Sequence, residues 1–207
     1  MKLITPFNID IKPNEEGLYP VFQIVKDVAY DSDKTIIIGN DHKDSIKSIE
    51  LFSKNFDNPG LLILDAHPDS EDENDIIPYL INNNIIKKEN IVIAGLRSWK
   101  KQELQFIKKN NIKNYSMKEI TVTGLHEVSE SLMSIARNFS ALYVSIDLDV
   151  LDPAFVQVST PEPGGLTTRE LLTLIHRLKK LVNLKAIDIM EVYDNKELAS
   201  KITLEFY

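Results

Sequence analysis

The stretch Leu61-Leu62-Ile63-Leu64-Asp65-Ala66-His67-Pro68-Asp69 joins four consecutive apolar residues to three potential metal ligands. An apolar run without alternation suits a strand covered on both faces, as in a parallel sheet with helices on either side. Outward from it, four more short runs repeat the pattern: Thr35-Ile36-Ile37-Ile38, Ile91-Val92-Ile93-Ala94, Ala141-Leu142-Tyr143-Val144-Ser145-Ile146 and Ala186-Ile187-Asp188-Ile189-Met190. Between them, 101–110 and 168–181 space their apolar residues as amphipathic helices do. Strands alternating with helices across short linkers predict right-handed βαβ crossovers. The expected class is α/β, a three-layer α-β-α sandwich around a mostly parallel sheet.

At 207 residues, with no internal repeat and no Gly/Ser- or Pro-rich linker, the chain is expected to form one domain over 1–207. Hydrophobic residues make up 43% and charged residues 27%, ordinary globular composition with enough apolar material for a core. A formal charge of −7 argues against nucleic acid, whose partners carry a clustered basic face. It is compatible with a small cationic substrate, and equally with a charge that serves solubility. The absence of cysteine excludes disulfides, thiolate metal sites and a cysteine nucleophile, so any metal must rest on His and carboxylates. Met1 to Pro6 lack a cationic start followed by an apolar run, and no apolar stretch is long enough to span a bilayer, so a cytoplasmic location and no membrane partner are expected.

Three of the predicted strands carry potential ligands just past their carboxyl ends, the edge at which open α/β sheets bind ligands. Gly39-Asn40-Asp41-His42 follows the first run, Asp65 to Asp69 the second, and Asp147-Leu148-Asp149 the fourth. In extended backbone, alternation would turn Asp65, His67 and Asp69 to one side, and likewise Asp147 and Asp149. Singly each piece has an ordinary explanation: a loop histidine, an Asp-Pro turn at Asp152-Pro153, a polar loop after a strand. Together with His42 they bring four carboxylates and two imidazoles to one edge, more negative charge than can be buried without cations. Two divalent ions would balance the carboxylates. An oxygen-rich set with a minority of imidazole favours manganese, Mn2+ at two per chain, with iron, cobalt, nickel and zinc open on the same grounds. The acidic segment from Ser70 to Asp75 reads as a solvated loop.

Residues 36–207 resemble the ureohydrolase family, which includes arginase, agmatinase and formimidoylglutamase. The resemblance rests on Gly39-Asn40-Asp41-His42, Asp65-Ala66-His67-Pro68-Asp69, Ser145-Ile146-Asp147-Leu148-Asp149 running on to Asp152-Pro153, Thr160-Pro161-Glu162-Pro163-Gly164-Gly165-Leu166, and Asp188-Ile189-Met190-Glu191-Val192. It implies one metal on His42, Asp65, Asp69 and Asp147 and another on His67, Asp65, Asp147 and Asp149, with Asp65 and Asp147 bridging. It further implies a hydroxide nucleophile that attacks an amidine or guanidine carbon, Asp69 as catalytic proton relay, and Glu191 as the carboxylate that holds the substrate guanidinium. Gly95-Leu96-Arg97-Ser98-Trp99 and the segment from Thr160 to Gly165 look more like the agmatinase branch. Family likeness also implies a homo-oligomer, trimeric or hexameric, and a place in polyamine metabolism.

Several features depart from the family pattern. The region before the first motif is short, which predicts a smaller sheet. The loop after Asp69 lacks the histidine that serves arginase as a proton shuttle, and His126 and His176 are the only others in the chain. Val156-Gln157-Val158-Ser159 replaces a proline- and glycine-bearing loop. Two other readings therefore stand beside urea-releasing hydrolysis: amide hydrolysis, as in the related deacetylase fold, and a metal-binding protein that regulates a partner without turnover.

Overall fold

A computed structural model describes residues 2–4 and 34–206. Seven strands form one sheet in which every pairing is parallel: β1 (Lys2–Ile4), β2 (Thr35–Ile38), β3 (Pro59–Leu64), β4 (Ile91–Leu96), β5 (Lys113–Ser116), β6 (Ala141–Asp147) and β7 (Leu184–Met190). Their spatial order is β1-β2-β7-β6-β3-β4-β5. The described helices are α1 (Ser45–Ser53), α2 (Ile76–Asn82), α3 (Lys101–Asn110), α4 (Met117–Thr123), α5 (Leu125–Ala136), α6 (Thr168–Leu178) and α7 (Lys196–Phe206).

All five predicted strands are present, and their continuous apolar runs have the expected cause: two separate cores lie on the two faces of the sheet. Ile49, Phe52, Ile77, Leu80 and Ile107 of α1–α3 pack on one face with Leu61, Ile63, Ile91 and Ile93. Residues of α4–α7, among them Ile120, Leu132, Leu171, Ile175 and Ile202, pack on the other with Leu62, Leu64, Val144 and Ile187. The three-layer sandwich follows. The helix expected over 168–181 ends at Leu178, where Lys179 caps it, although Leu181 remains buried. Beyond the five expected strands, the sheet has two edge strands that carry no apolar run, β1 and β5.

Chain order places the site. From β3 the sheet grows through β4 to β5 on one side, and β6 and β7 then return to the other. The direction of winding reverses between β3 and β6, and a crevice opens beyond the carboxyl ends of strands at such a switch point. Asp65 follows β3 directly and Asp147 ends β6.

Candidate metal centre and adjoining cleft

The ligand-bearing segments do converge, but not by strand alternation. β3 stops at Leu64, and Asp65 to Asp69 leave it as a bent loop in which Asp69 takes a left-handed φ of 42°. Beyond β6, Leu148–Val150 form a 3-10 turn, so Asp149 faces Asp147 across a turn and not along a strand. The turn is self-templated: the Asp149 N–H donates to Asp147 Oδ1 at 2.8 Å, and the His67 N–H to Asp65 Oδ1 at 2.6 Å. The Ala66 N–H donates to Asp149 Oδ1 at 3.0 Å and ties the two segments together.

His42 lies at the centre and is only 6% exposed. Its Nδ1 stands 3.0 Å from Asp65 Oδ2, 2.9 Å from Asp69 Oδ2 and 3.1 Å from Asp147 Oδ2. One ring N–H cannot be aimed at three oxygens, and neither Nδ1 nor Asp65 Oδ2 has a hydrogen-bond partner although both are fully buried. Buried polar atoms without partners are costly and rare. The spacing offers a reason: ligand atoms about 2.1 Å from a common cation and at right angles lie about 3.0 Å apart, against about 3.4 Å in a tetrahedron. The separations around His42 are short enough for these groups to share one ion.

The opposite side of Asp65 repeats the theme. His67 Nδ1 is 2.6 Å from Asp149 Oδ2 and 3.7 Å from Asp65 Oδ1, so the two oxygens of Asp65 face the two histidines. His42 with Asp65 and Asp69, Asp65 with His67 and Asp149, and Asp147 with Asp149 and Glu191 are each close enough to share an ion.

Electrostatics agree with that reading. Burial, and then repulsion from Asp149 and Asp69, push the Asp65 carboxyl well above the usual range. Burial and Asp149 raise Asp147 to about 7. Hydrogen bonding to Asp149 raises His67 to about 9. Burial opposes a charged His42, but its contacts with Asp147, Asp65 and Asp69 outweigh that and raise it well above normal. The raised Asp65 and Asp147 carboxyls beside two raised imidazoles mark a site whose buried anions divalent cations would neutralise.

A wholly buried network that sequence reasoning missed supports His42. Ser145 Oγ lies 3.0 Å from His42 Nε2 and donates to Asp188 Oδ1 at 2.6 Å, while Tyr143 donates to Asp188 Oδ2 at 2.8 Å. Holding Nε2 in this way leaves Nδ1 for a ligand. Glu191 ends the same strand region at φ 57°, and burial raises its pKa. Its Oε1 accepts from Ser159 Oγ at 2.6 Å, and its buried Oε2 has no partner. The altered loop at 156–159 thus supplies the residue that orients Glu191.

The family model for the arginase family matches residues 4–206, starting well before the motifs that carry the sequence resemblance. The chain belongs to the arginase family. It is 32% identical over 185 residues to an arginase of Staphylococcus aureus strain MRSA252, covering 77% of this chain and 61% of that protein. It is 29% identical over 180 residues to a formimidoylglutamase of Halalkalibacterium halodurans, covering 80% of this chain and 56% of that protein. The crystal structure of Bacillus subtilis arginase superposes with a TM-score of 0.78 at 27% identity, covering 90% of this chain and 74% of that one. The chain therefore spans about three fifths of the length of the curated relatives it matches.

Within this arginase-family frame the remaining histidines lie away from the cluster. His126 sits on α5 beside Arg177, and His176 on α6 pairs with Glu205. The loop from Ser70 to Asp75 is largely solvated, as expected, yet it is not loose. Asp75 accepts the Glu71 and Asp72 N–H groups and pairs with Lys43 at 2.8 Å, and Glu71 pairs with Lys100. Beside His67 and Asp69 a cleft of about 500 Å³ opens, with Trp99 and Glu162 in its lining. No described helix is long and apolar enough to cross a membrane.

Proposed function

We propose that this chain is a binuclear-metal hydrolase that cleaves a C–N bond of a guanidino or amidino compound and releases urea from guanidines. The observation that carries the reading is the set of three carboxylates that converge on the partnerless Nδ1 of His42. His42, Asp65, Asp69 and Asp147 would hold one ion, and His67, Asp65, Asp147 and Asp149 the other. Asp65 and Asp147 would serve both. Manganese suits this oxygen-rich set best.

When bound, the cations supply the means of making hydroxide from a shared water near neutral pH. The chain's residues do the rest. Glu191, with Oε1 fixed by Ser159 and Oε2 unclaimed, offers a planar N–H donor a charge-assisted hydrogen bond. Asp69 has a side chain 30% exposed, the one cluster carboxylate that also lines the cleft. It is placed to take a proton on its outer face and pass it to the leaving amine. Agmatine is the favoured substrate. Arginase-type and formimidoylglutamase-type activities are the alternatives, in keeping with the names of the relatives. A cytoplasmic homo-oligomer, trimeric or hexameric, and a role in polyamine metabolism go with the same reading.

The test is urea release from agmatine, arginine, 4-guanidinobutyrate and 3-guanidinopropionate by manganese-loaded protein, with Asp147→Ala as control. Release from at least one substrate, abolished in the variant, is expected. No release from any guanidine by protein that carries metal would remove the proposal.

A further inference from the structure

We propose that Asn195 is a positioning residue for Glu191: by clamping the backbone of Gln157 it holds Ser159 against one oxygen of the Glu191 carboxylate, and so fixes the aim of the other. The role rests on the hydrolase reading above, in which Glu191 holds the guanidinium. Asn195 itself lies outside every motif that carries the family likeness.

A glutamate is aimed only when both ends of its side chain are fixed. The backbone end of Glu191 is tied to the segment that leads from β2 to His42: the Val192 N–H donates to the Gly39 carbonyl at 3.1 Å, and the Tyr193 N–H to Asn40 Oδ1 at 2.9 Å. Left-handed φ values of 57° at Glu191 and 39° at Tyr193 bend the chain sharply there. The carboxylate end is held by Ser159 Oγ, which donates to Oε1 at 2.6 Å. Oε2 is buried without a hydrogen-bond partner among the described residues. With the backbone and Oε1 both placed, few rotamers remain and the direction of Oε2 is set.

Ser159 can hold a carboxylate only if its own backbone is held, and residues 156–159 belong to no helix or strand. Val156 is buried, whereas Gln157 and Ser159 are exposed. Asn195 supplies what a sheet ladder supplies elsewhere. Its Nδ2 donates to the Gln157 carbonyl at 2.6 Å, and its Oδ1 accepts the Gln157 N–H at 3.3 Å, so one side-chain amide meets both backbone groups of that residue. Asparagine presents a donor and an acceptor in one plane, as a peptide group does, and neither alanine nor aspartate could donate to that carbonyl. Asn195 is in turn anchored directly before α7. Its N–H donates to the Val192 carbonyl at 2.6 Å, and its carbonyl accepts the Ala199 N–H at 3.0 Å, both from buried residues. The chain from Glu191 to Asn195 and that from Gln157 to Ser159 therefore close into a ring, joined at one end by the amide and at the other by the serine.

Manganese-loaded full chain and its Asn195→Ala, Asn195→Asp, Ser159→Ala and Glu191→Gln variants, singly and combined, would be assayed for urea release from agmatine and arginine. Hydrogen exchange of residues 156–159 would be followed in parallel. Asn195→Ala and Asn195→Asp should each lower kcat/KM by about tenfold at unchanged metal content, and should speed exchange at Gln157. Made in Ser159→Ala or Glu191→Gln protein, the same substitutions should cost less than about twofold more, because the amide acts only through those two groups. Fraying of α7 would instead cost the same in every background. A loss that multiplies in full on top of Glu191→Gln, or an Asn195→Ala protein with unaltered kcat/KM, would overturn the role and leave the hydrolase reading intact. Wild type that releases no urea from either guanidine would defeat the hydrolase reading, and exchange at Gln157 would then decide whether the amide holds the segment.

Discussion

At the scale of single residues, the groups that matter are distinguished by what they lack. His42 Nδ1, Asp65 Oδ2 and Glu191 Oε2 are buried without partners, and Asp69 and Glu191 hold left-handed backbone that non-glycine residues seldom adopt. Sequence motifs were sufficient to name these side chains. They could not reveal Ser145 as the link between His42 and Asp188, because a serine inside an apolar strand reads as an interruption and not as a hydrogen-bond relay. Removing that link should cost metal affinity: Ser145→Ala is expected to weaken divalent-ion binding by about 10- to 100-fold in calorimetric titration. Unchanged affinity would deny the relay its role. Glu191→Gln should cut kcat/KM for a guanidine by on the order of 100-fold while metal content stays the same, since its carboxylate is assigned to substrate. A loss of bound metal in that variant would reassign Glu191 to the ligand set.

At the scale of elements, the five continuous apolar strands were legible because burial on both faces leaves an unambiguous signature. β5, Lys113–Ser116, was not, because an edge strand of Lys-Asn-Tyr-Ser composition contains no apolar run. Nor was the means of convergence, since turns at Asp65–Asp69 and Leu148–Val150 replaced the expected alternation along strands. The turn after β6 is held in place by the Arg97 side chain. Its guanidinium donates to the carbonyls of Asp149 at 2.6 Å, Leu151 at 3.1 Å and Glu162 at 2.7 Å, joining the segments that follow β4 and β6 to the one that carries Glu162. Nearby, Gly95 at φ 109° leaves room that a Cβ would take from Val150 Cγ2 at 2.6 Å and the Asp65 carbonyl oxygen at 2.8 Å. Arg97→Ala should destabilise the fold by about 2 kcal/mol or more, because several half-buried carbonyls lose their donor at once. Chemical denaturation would measure it, and a change within about 0.5 kcal/mol would show that the loops hold without it.

At the scale of the whole molecule, the fold concentrates carboxylates and imidazoles at one edge of the sheet, close enough together to share cations. The sign of the pH dependence follows from two shifts. Asp147 is raised from 3.8 to about 7 and His67 from 6.5 to about 9, so the folded metal-free chain binds more protons than the unfolded one across that span. The stability each contributes is complete below its unfolded value and is lost as pH rises through its folded value. Asp149 is shifted downward once its His67 and Ala66 hydrogen bonds outweigh burial, and its contribution fades only as pH falls below the ordinary carboxylate range. Between pH 5 and pH 9, therefore, the Tm of metal-free protein should fall, and the rise in Tm on adding manganese should grow, because the ions replace the departing protons. A metal-free Tm that climbs over this range would contradict the electrostatics assigned to the cluster.

The most direct test is the number of divalent ions held by the purified chain after manganese loading and removal of excess, determined by elemental analysis for wild type and for Asp147→Ala. Two ions per chain are expected in the wild type and fewer than one in the variant, since Asp147 is assigned to both ions. One ion or none in the wild type, or a variant that retains both, would contradict a binuclear centre at this edge of the sheet.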